Sequence, residues 1–213
     1  TSHPVEMTDD LVALHGDEEK LMPFLHLPVQ SGSSRILRAM NRKHTAEDYL
    51  AIIGRLRAVR PDIALSTDII VGFPGEMEKD FEATLSLVRE VTFASAYSFK
   101  YSRRPGTPAA RLEPQTPPAV IRERSKTLAE LSRTKALAFY QQQIGRTVSV
   151  LFEQGERDGF RTGTTANFTR VAVPADRVAA GSIHPVTITG ITDGLAYGHL
   201  ASPPVTPAHR PLL

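Results

Sequence analysis

"STDIIVGFPGE", residues 66–76, sets an aspartate, Asp68, against three apolar residues, Ile69, Ile70 and Val71, and closes at Gly72 and the turn pair Pro74-Gly75. An apolar run bounded by turn residues reads as a strand buried on both faces, the kind that belongs in a parallel α/β sheet. A carboxylate inside such a strand needs a hydrogen-bonding or ionic partner, or a functional reason. Both readings stay open for Asp68.

The flanks repeat the pattern. His26 to Gln30 reads as a short strand ending at Ser31-Gly32, after which Ser33 or Ser34 caps a helix carrying Ile36, Leu37 and Met40. Thr45 caps a second helix, whose Tyr49, Ile52, Ile53, Leu56 and Val59 form one apolar stripe before Pro61 ends it. Past Pro74-Gly75 a helix begins near Glu76, with Phe81, Leu85 and Val88 spaced at i, i+4 and i+7 and acids in its first turns. Ala94 to Tyr101 is the next strand. Strands alternating with helices imply a parallel sheet with right-handed crossovers. Three βα units do not close a barrel, so the first part reads as the back half of a larger domain.

From Ser102 to Pro118 the chain is rich in Pro, Arg and Thr, which is connector chemistry, and a helix starting at Pro117 or Pro118 is expected to run to about Ile144. The texture then changes. "TVSVLFE", "RVAVP" and "HPVTITGI" are short β-type runs separated by glycine-containing turns, as in a small barrel or sandwich. The expected organisation is an α/β unit over 1–143, an all-β unit over 144–202 and a loose tail over 203–213.

With 213 residues, 41% of them apolar and 23% charged, the composition is ordinary for a globular chain. No apolar run reaches the length of a membrane span and residues 1–10 do not resemble a signal peptide, so a cytoplasmic protein with no membrane partner is expected. There is no cysteine, which excludes disulfides and thiolate-bound metal within this chain. Charge is uneven: residues 1–99 carry 10 Lys/Arg against 15 Asp/Glu, and residues 100–213 carry 15 against 8. Within the basic half, residues 100–135 hold 9 cations against 3 acids, whereas 144–202 is neutral, with 5 of each. Attraction to phosphate is therefore expected from the connector and the helix after it.

Ligands of parallel sheets sit at the carboxyl ends of the strands. Three such ends offer polar groups: Gln30 and Ser31 beside Gly32; Asp68; and "SFKYSRRPGT", with Phe99, Tyr101, Arg103 and Arg104. Read without a ligand, these are a capped turn, a paired aspartate and a solvated basic linker.

Together, "HLPVQSGSSRILRAMNRKHTAEDYL", "DIIVGFPGE" and "YSFKYSRRPGTPAA" resemble the consecutive late-barrel motifs of the radical S-adenosylmethionine methylthiotransferases, and residues 144–202 resemble their C-terminal TRAM module. The resemblance covers the chain up to about His199. Its third motif is more similar to the branch that modifies an isopentenyl-adenosine beside the tRNA anticodon than to the branch acting on a ribosomal protein. It implies a partial (β/α) barrel followed by an OB-like barrel, with S-adenosylmethionine and two [4Fe–4S] clusters as cofactors. It also implies the tRNA anticodon stem-loop as partner and a reductant protein. Iron–sulfur clusters need thiolates, so the cluster ligands are expected upstream of Thr1, and the chain alone is expected to be inactive.

Carried onto these residues, the resemblance places Gln30 and Ser31 at the cofactor's ribose, Asp68 and Ile70 along its adenine and methionine, Arg42 at its carboxylate, and Tyr101 near the incoming nucleotide. Arg103 and Arg104 are expected to meet RNA, and in the β unit so are Arg161, Asn167 and Arg170. There "RTGTTANFTRV" departs from the module's Gly-Arg-Thr pattern, since Thr164 follows Gly163 and Arg161 precedes it. Phe168 offers a stacking contact to RNA, and the plainer alternative places it in the core. Two other classes compete: a non-catalytic RNA-binding protein built on a βα scaffold, and a barrel enzyme that uses "SGSS" for a phosphate.

Overall fold

The computed structural model describes residues 2–201; the expected tail over 203–213 lies outside them. The chain divides into two compact units between Gln142 and Gln143.

The first unit is built on a three-stranded parallel sheet, β1 (Phe24–His26), β2 (Ala64–Val71) and β3 (Ser95–Lys100), with β2 in the centre. Its front carries a helix that the motifs above do not predict, α1 (Asp9–Asp17), whose first turn is capped by Thr8. Between β1 and β2 lie α2 (Ser34–Ala39), capped by Ser33, and α3 (Ala46–Val59), capped by a reciprocal Thr45 and Asp48 pair. α4 (Glu78–Glu90) joins β2 to β3, and α5 (Pro118–Gln141) begins with proline at its first position. The core joins Leu65, Ile69 and Val71 of β2 to Tyr49 and Leu56 of α3, Phe81, Leu85 and Val88 of α4, and Leu128 of α5. Burying each such side chain stabilises the fold by about 1.5–3 kcal/mol. Val59, last in the expected stripe of α3, is exposed.

β1 differs from the expected strand over 26–30, and the reason is Pro28, which has no N–H to donate. Leu27 N still bonds Ser66 O at 2.8 Å, but Val29 N turns to the Thr67 hydroxyl at 3.0 Å, and that hydroxyl donates to Leu27 O at 2.9 Å. Pairing resumes at Gln30, which bridges Ile69 with a φ of 73°. A positive φ in a non-glycine residue is uncommon and is held here by bonds on both sides of the bridge.

The second unit is a closed barrel of β4 (Thr147–Phe152), β5 (Phe160–Thr165), β6 (Arg170–Pro174), β7 (Ile183–Thr192) and β8 (Leu195–Leu200), in the order β4-β5-β6-β8-β7. Val150, Phe152, Val171, Val173, Val186 and Ile188 fill it. β5 and β8 lack a clear apolar alternation because Gly163 and Gly198 sit where a Cβ would meet Leu151 O at 2.5 Å and Thr187 O at 2.4 Å. Closure leaves this unit no free sheet edge.

Candidate functional site

The carboxyl ends of β1, β2 and β3 share an open cavity of about 460 Å³, lined by Gln30, Asp68, Ile70, Phe99, Tyr101 and Arg104 among others. The strand register explains the grouping. Asp68 pairs with Tyr97 and Ile70 with Phe99, so Asp68 and Ile70, two apart, share one face of β2. Ile69 and Val71 face the other way and are fully buried. The strand is therefore buried on both faces only up to Thr67, and this answers why a carboxylate is tolerated in it. Asp68 keeps 28% of its side-chain exposure, so its charge stays partly hydrated and avoids the cost of full burial.

Asp68 also has a neighbour that the motifs do not connect with it. His26 Nε2 lies 3.5 Å from Asp68 Oδ2, and His26 Nδ1 lies 2.7 Å from Ser66 Oγ. Ser66, His26 and Asp68 thus form a side-chain chain across β1 and β2, held by the His26–Ser66 register. Only strand pairing brings His26 to Ser66, 40 positions away in sequence, and so to Asp68. Tyr101 stacks edge-on against Phe73 at 5.5 Å, and its hydroxyl is buried with no hydrogen-bond partner among the described residues.

Not every expected ligand residue reaches this cavity. Ser31 is fully buried, its hydroxyl 3.4 Å from that of Thr84 and accepting from Ser33 N at 3.1 Å. Arg42 sits half-buried at the turn between α2 and α3 and does not line the cavity. The "SGSS" loop is pinned to its surroundings by carboxylates: Ser33 Oγ donates to Asp80 at 2.7 Å and Ser34 Oγ to Glu47 at 2.8 Å. Hydroxyls committed to anions make a poor cradle for a phosphate, which argues against the phosphate-loop reading.

Asp80 anchors this arrangement. Burial would raise its pKa, but hydrogen bonds from Arg35, Ser33 and Met77 N outweigh burial and bring it to about 2. A carboxyl depressed from its ordinary 3.8 stabilises the fold above that value, and the contribution is lost as pH falls toward 2. The advantage of the wild type over Asp80→Asn is expected to be on the order of 2 kcal/mol at neutral pH and to shrink in this acid window. Urea denaturation of both proteins across the window checks it; a pH-independent gap contradicts it.

Beyond the strands, Arg103 Nε donates to Ala110 O at 2.9 Å, tying the connector into a loop, while Arg104 lines the cavity. In the barrel unit, Arg161 holds two loop carbonyls, Val178 O at 3.2 Å and Gly155 O at 3.3 Å. Asn167 is buried, accepting from Thr165 and Thr169 and donating to Gln143, which corrects its expected place on the surface. Arg170 pairs with Glu153 at 3.2 Å and bonds Thr162. Phe168 departs from the core alternative: it sits 56% exposed in a turn, at a φ of 62°.

Comparison with known proteins agrees with this geometry. Residues 2–88 match the family model described as the Radical SAM superfamily. Over 190 residues, 89% of this chain, the sequence is 53% identical to the tRNA-2-methylthio-N(6)-dimethylallyladenosine synthase of Sphingopyxis alaskensis, of which that alignment covers 43%. The proteins of the same name from Zymomonas mobilis and Cereibacter sphaeroides are 53% and 54% identical over the same share of the chain, which covers 42% and 43% of them. The chain spans less than half the length of these curated relatives. With the parallel βα unit and the cavity at its strand tips in hand, the matches make the chain similar over residues 2–88 to the Radical SAM superfamily and over most of its length to part of these tRNA-2-methylthio-N(6)-dimethylallyladenosine synthases.

Proposed function

We propose that this chain forms one wall of the nucleoside pocket of a tRNA-modifying enzyme. The enzyme adds a methylthio group to an isopentenyl-modified adenosine next to the anticodon, and the barrel unit is its RNA-docking TRAM module. One observation carries the reading: Gln30, Asp68, Ile70 and Tyr101, from three strand ends, line a single cavity. Its volume falls in the range of small-molecule sites, and its mix of apolar faces with a few convergent polar groups suits a nucleoside. S-adenosylmethionine, when bound, supplies the carbon radical for the reaction. The residues of this chain bind and orient it. The Gln30 amide and Asp68 carboxylate take its hydroxyl and amine groups, while Ile70 and Phe99 cover its apolar faces and limit water. Ser31 acts behind this surface, holding the loop that carries Gln30.

Iron–sulfur clusters do not fit this chain. It has no cysteine, and no group of three or more His, Asp or Glu among the described residues is placed to hold a metal ion. In the proposed reading the clusters are held by residues outside the chain, and the chain by itself does not methylthiolate.

In the complete protein, Asp68→Asn is expected to weaken S-adenosylmethionine binding about tenfold or more, the worth of one charge-assisted hydrogen bond. Affinity for the tRNA should be unchanged. Calorimetric titration with each ligand tests this, and an equal loss of both affinities would assign Asp68 to folding instead.

A further inference from the structure

A second cavity, of about 500 Å³, shares Lys100, Tyr101 and Ser102 with the first and extends past Arg103 to Arg122 on α5. Three cations line it and no acid does. Among the described residues, the side chains of Lys100 and Arg122 make no ion pair or hydrogen bond. Arg103 commits only its Nε, to Ala110 O. Elsewhere in this unit cations are commonly matched: Arg35 with Asp80, Arg89 with Glu82, Arg124 with Glu76 and Glu78. Three like charges around one cavity repel one another, and an anion placed among them relieves the repulsion. α5 adds to the same field, since its first turn holds no acid and Pro117 provides no side-chain cap. The buried Tyr101 hydroxyl lacks a partner on the wall common to both cavities.

That common wall identifies the anion. The two cavities share Lys100, Tyr101 and Ser102, so a group in the second stands beside the S-adenosylmethionine proposed for the first. The ligand that has to bring a base to that cofactor and carries a phosphate beside the base is a nucleotide within an RNA strand. We infer that the second cavity binds the backbone phosphate next to the RNA nucleoside that is brought to the cofactor in the first, through Lys100, Arg103 and Arg122, and so sets the register of the strand. The inference rests on the function proposed above. Phosphate contacts of this kind position a strand and carry no base identity.

The test uses the complete protein and an anticodon stem-loop RNA carrying the isopentenyl-adenosine, titrated over a series of salt concentrations. Lys100→Gln combined with Arg122→Gln should weaken binding on the order of tenfold at low salt and flatten the plot of log affinity against log salt by about 0.7 for each phosphate that is no longer neutralised. Arg122→Lys should keep the wild-type slope. Inorganic phosphate, exchanged for chloride at constant ionic strength, should compete with the RNA on the wild type and not on the double variant. The thermal unfolding midpoint, as a check on folding, should be the same in all. If the wild type binds this RNA but the double variant keeps both its slope and its sensitivity to phosphate, the phosphate site is overturned and the function stands. If the wild type does not bind the RNA, the function falls, and the phosphate site with it.

Discussion

Arg124→Ala is expected to lower the unfolding free energy of the complete protein by about 3–5 kcal/mol, the cost of stranding a buried charge. Arg124 is 8% exposed and reaches from α5 into the turn after β2. One guanidinium nitrogen donates to Glu76 Oε2 at 2.8 Å and to Glu76 O at 3.1 Å, and the other donates to Glu78 at 3.0 Å. The guanidinium also lies over the Phe81 ring at 5.3 Å, a cation–π contact. Among the described residues, the Glu76 carboxylate, 1% exposed, has besides Arg124 only the Gly72 N–H, at 2.8 Å.

Burial raises the pKa of Glu76, and the bonds from Gly72 and Arg124 offset that only in part. A carboxyl raised above its ordinary 4.5 adds stability below that value and loses it as pH rises through the raised one. Without Arg124 the rise grows, so the cost of Arg124→Ala should be largest at neutral pH and smaller in mild acid. Because neutral groups of similar volume can replace a buried pair at little cost, Arg124→Met with Glu76→Gln should recover most of the loss. Denaturant midpoints at two pH values read all three outcomes. A single-variant cost below about 1 kcal/mol, in the range of a surface pair, would show that this pair is hydrated.

Gly32→Ala is expected to cost about 3 kcal/mol, at the upper end for overpacking, because nothing near the new methyl can yield. A Cβ at Gly32 would stand 2.5 Å from Thr84 Cα, 2.6 Å from Ala83 O and 2.8 Å from Thr84 N, all backbone atoms inside α4. Relief requires the loop to lift from the helix, which breaks the Gly32 N–H bond to Thr84 Oγ1 at 2.9 Å and strains the Ser33–Asp80 bond. Gln30 stands two residues away, so S-adenosylmethionine affinity should fall along with thermal stability. Wild-type stability with wild-type affinity would mean that α4 yields freely at this point.

Local chemistry was well marked along the chain. Thr45 and Asp48 announce the start of α3, Pro61 stops it, Pro118 opens α5, and the run Ile69 to Val71 marks the central strand. Each signal acts within a few residues, so each survives in the sequence alone. Arg124 carried no such signal, because its role rests on a partner 48 residues away.

The sequence by itself determined most of the helices and strands, though not α1, β5, β8 or the bounds of β1, and also that three strand tips would carry polar groups and which family the motifs resemble. These follow from periodicity, capping and turn residues, whose forces are local. Tertiary structure alone decided which tips share a cavity: it admitted Gln30, Asp68, Ile70 and Tyr101, turned Ser31 and Asn167 inward, brought Phe168 to the surface and set His26 beside Asp68. The physical reason is that side-chain direction depends on strand register and on the partners that satisfy buried polar groups. Those partners lie dozens of residues apart and meet only once the chain has folded.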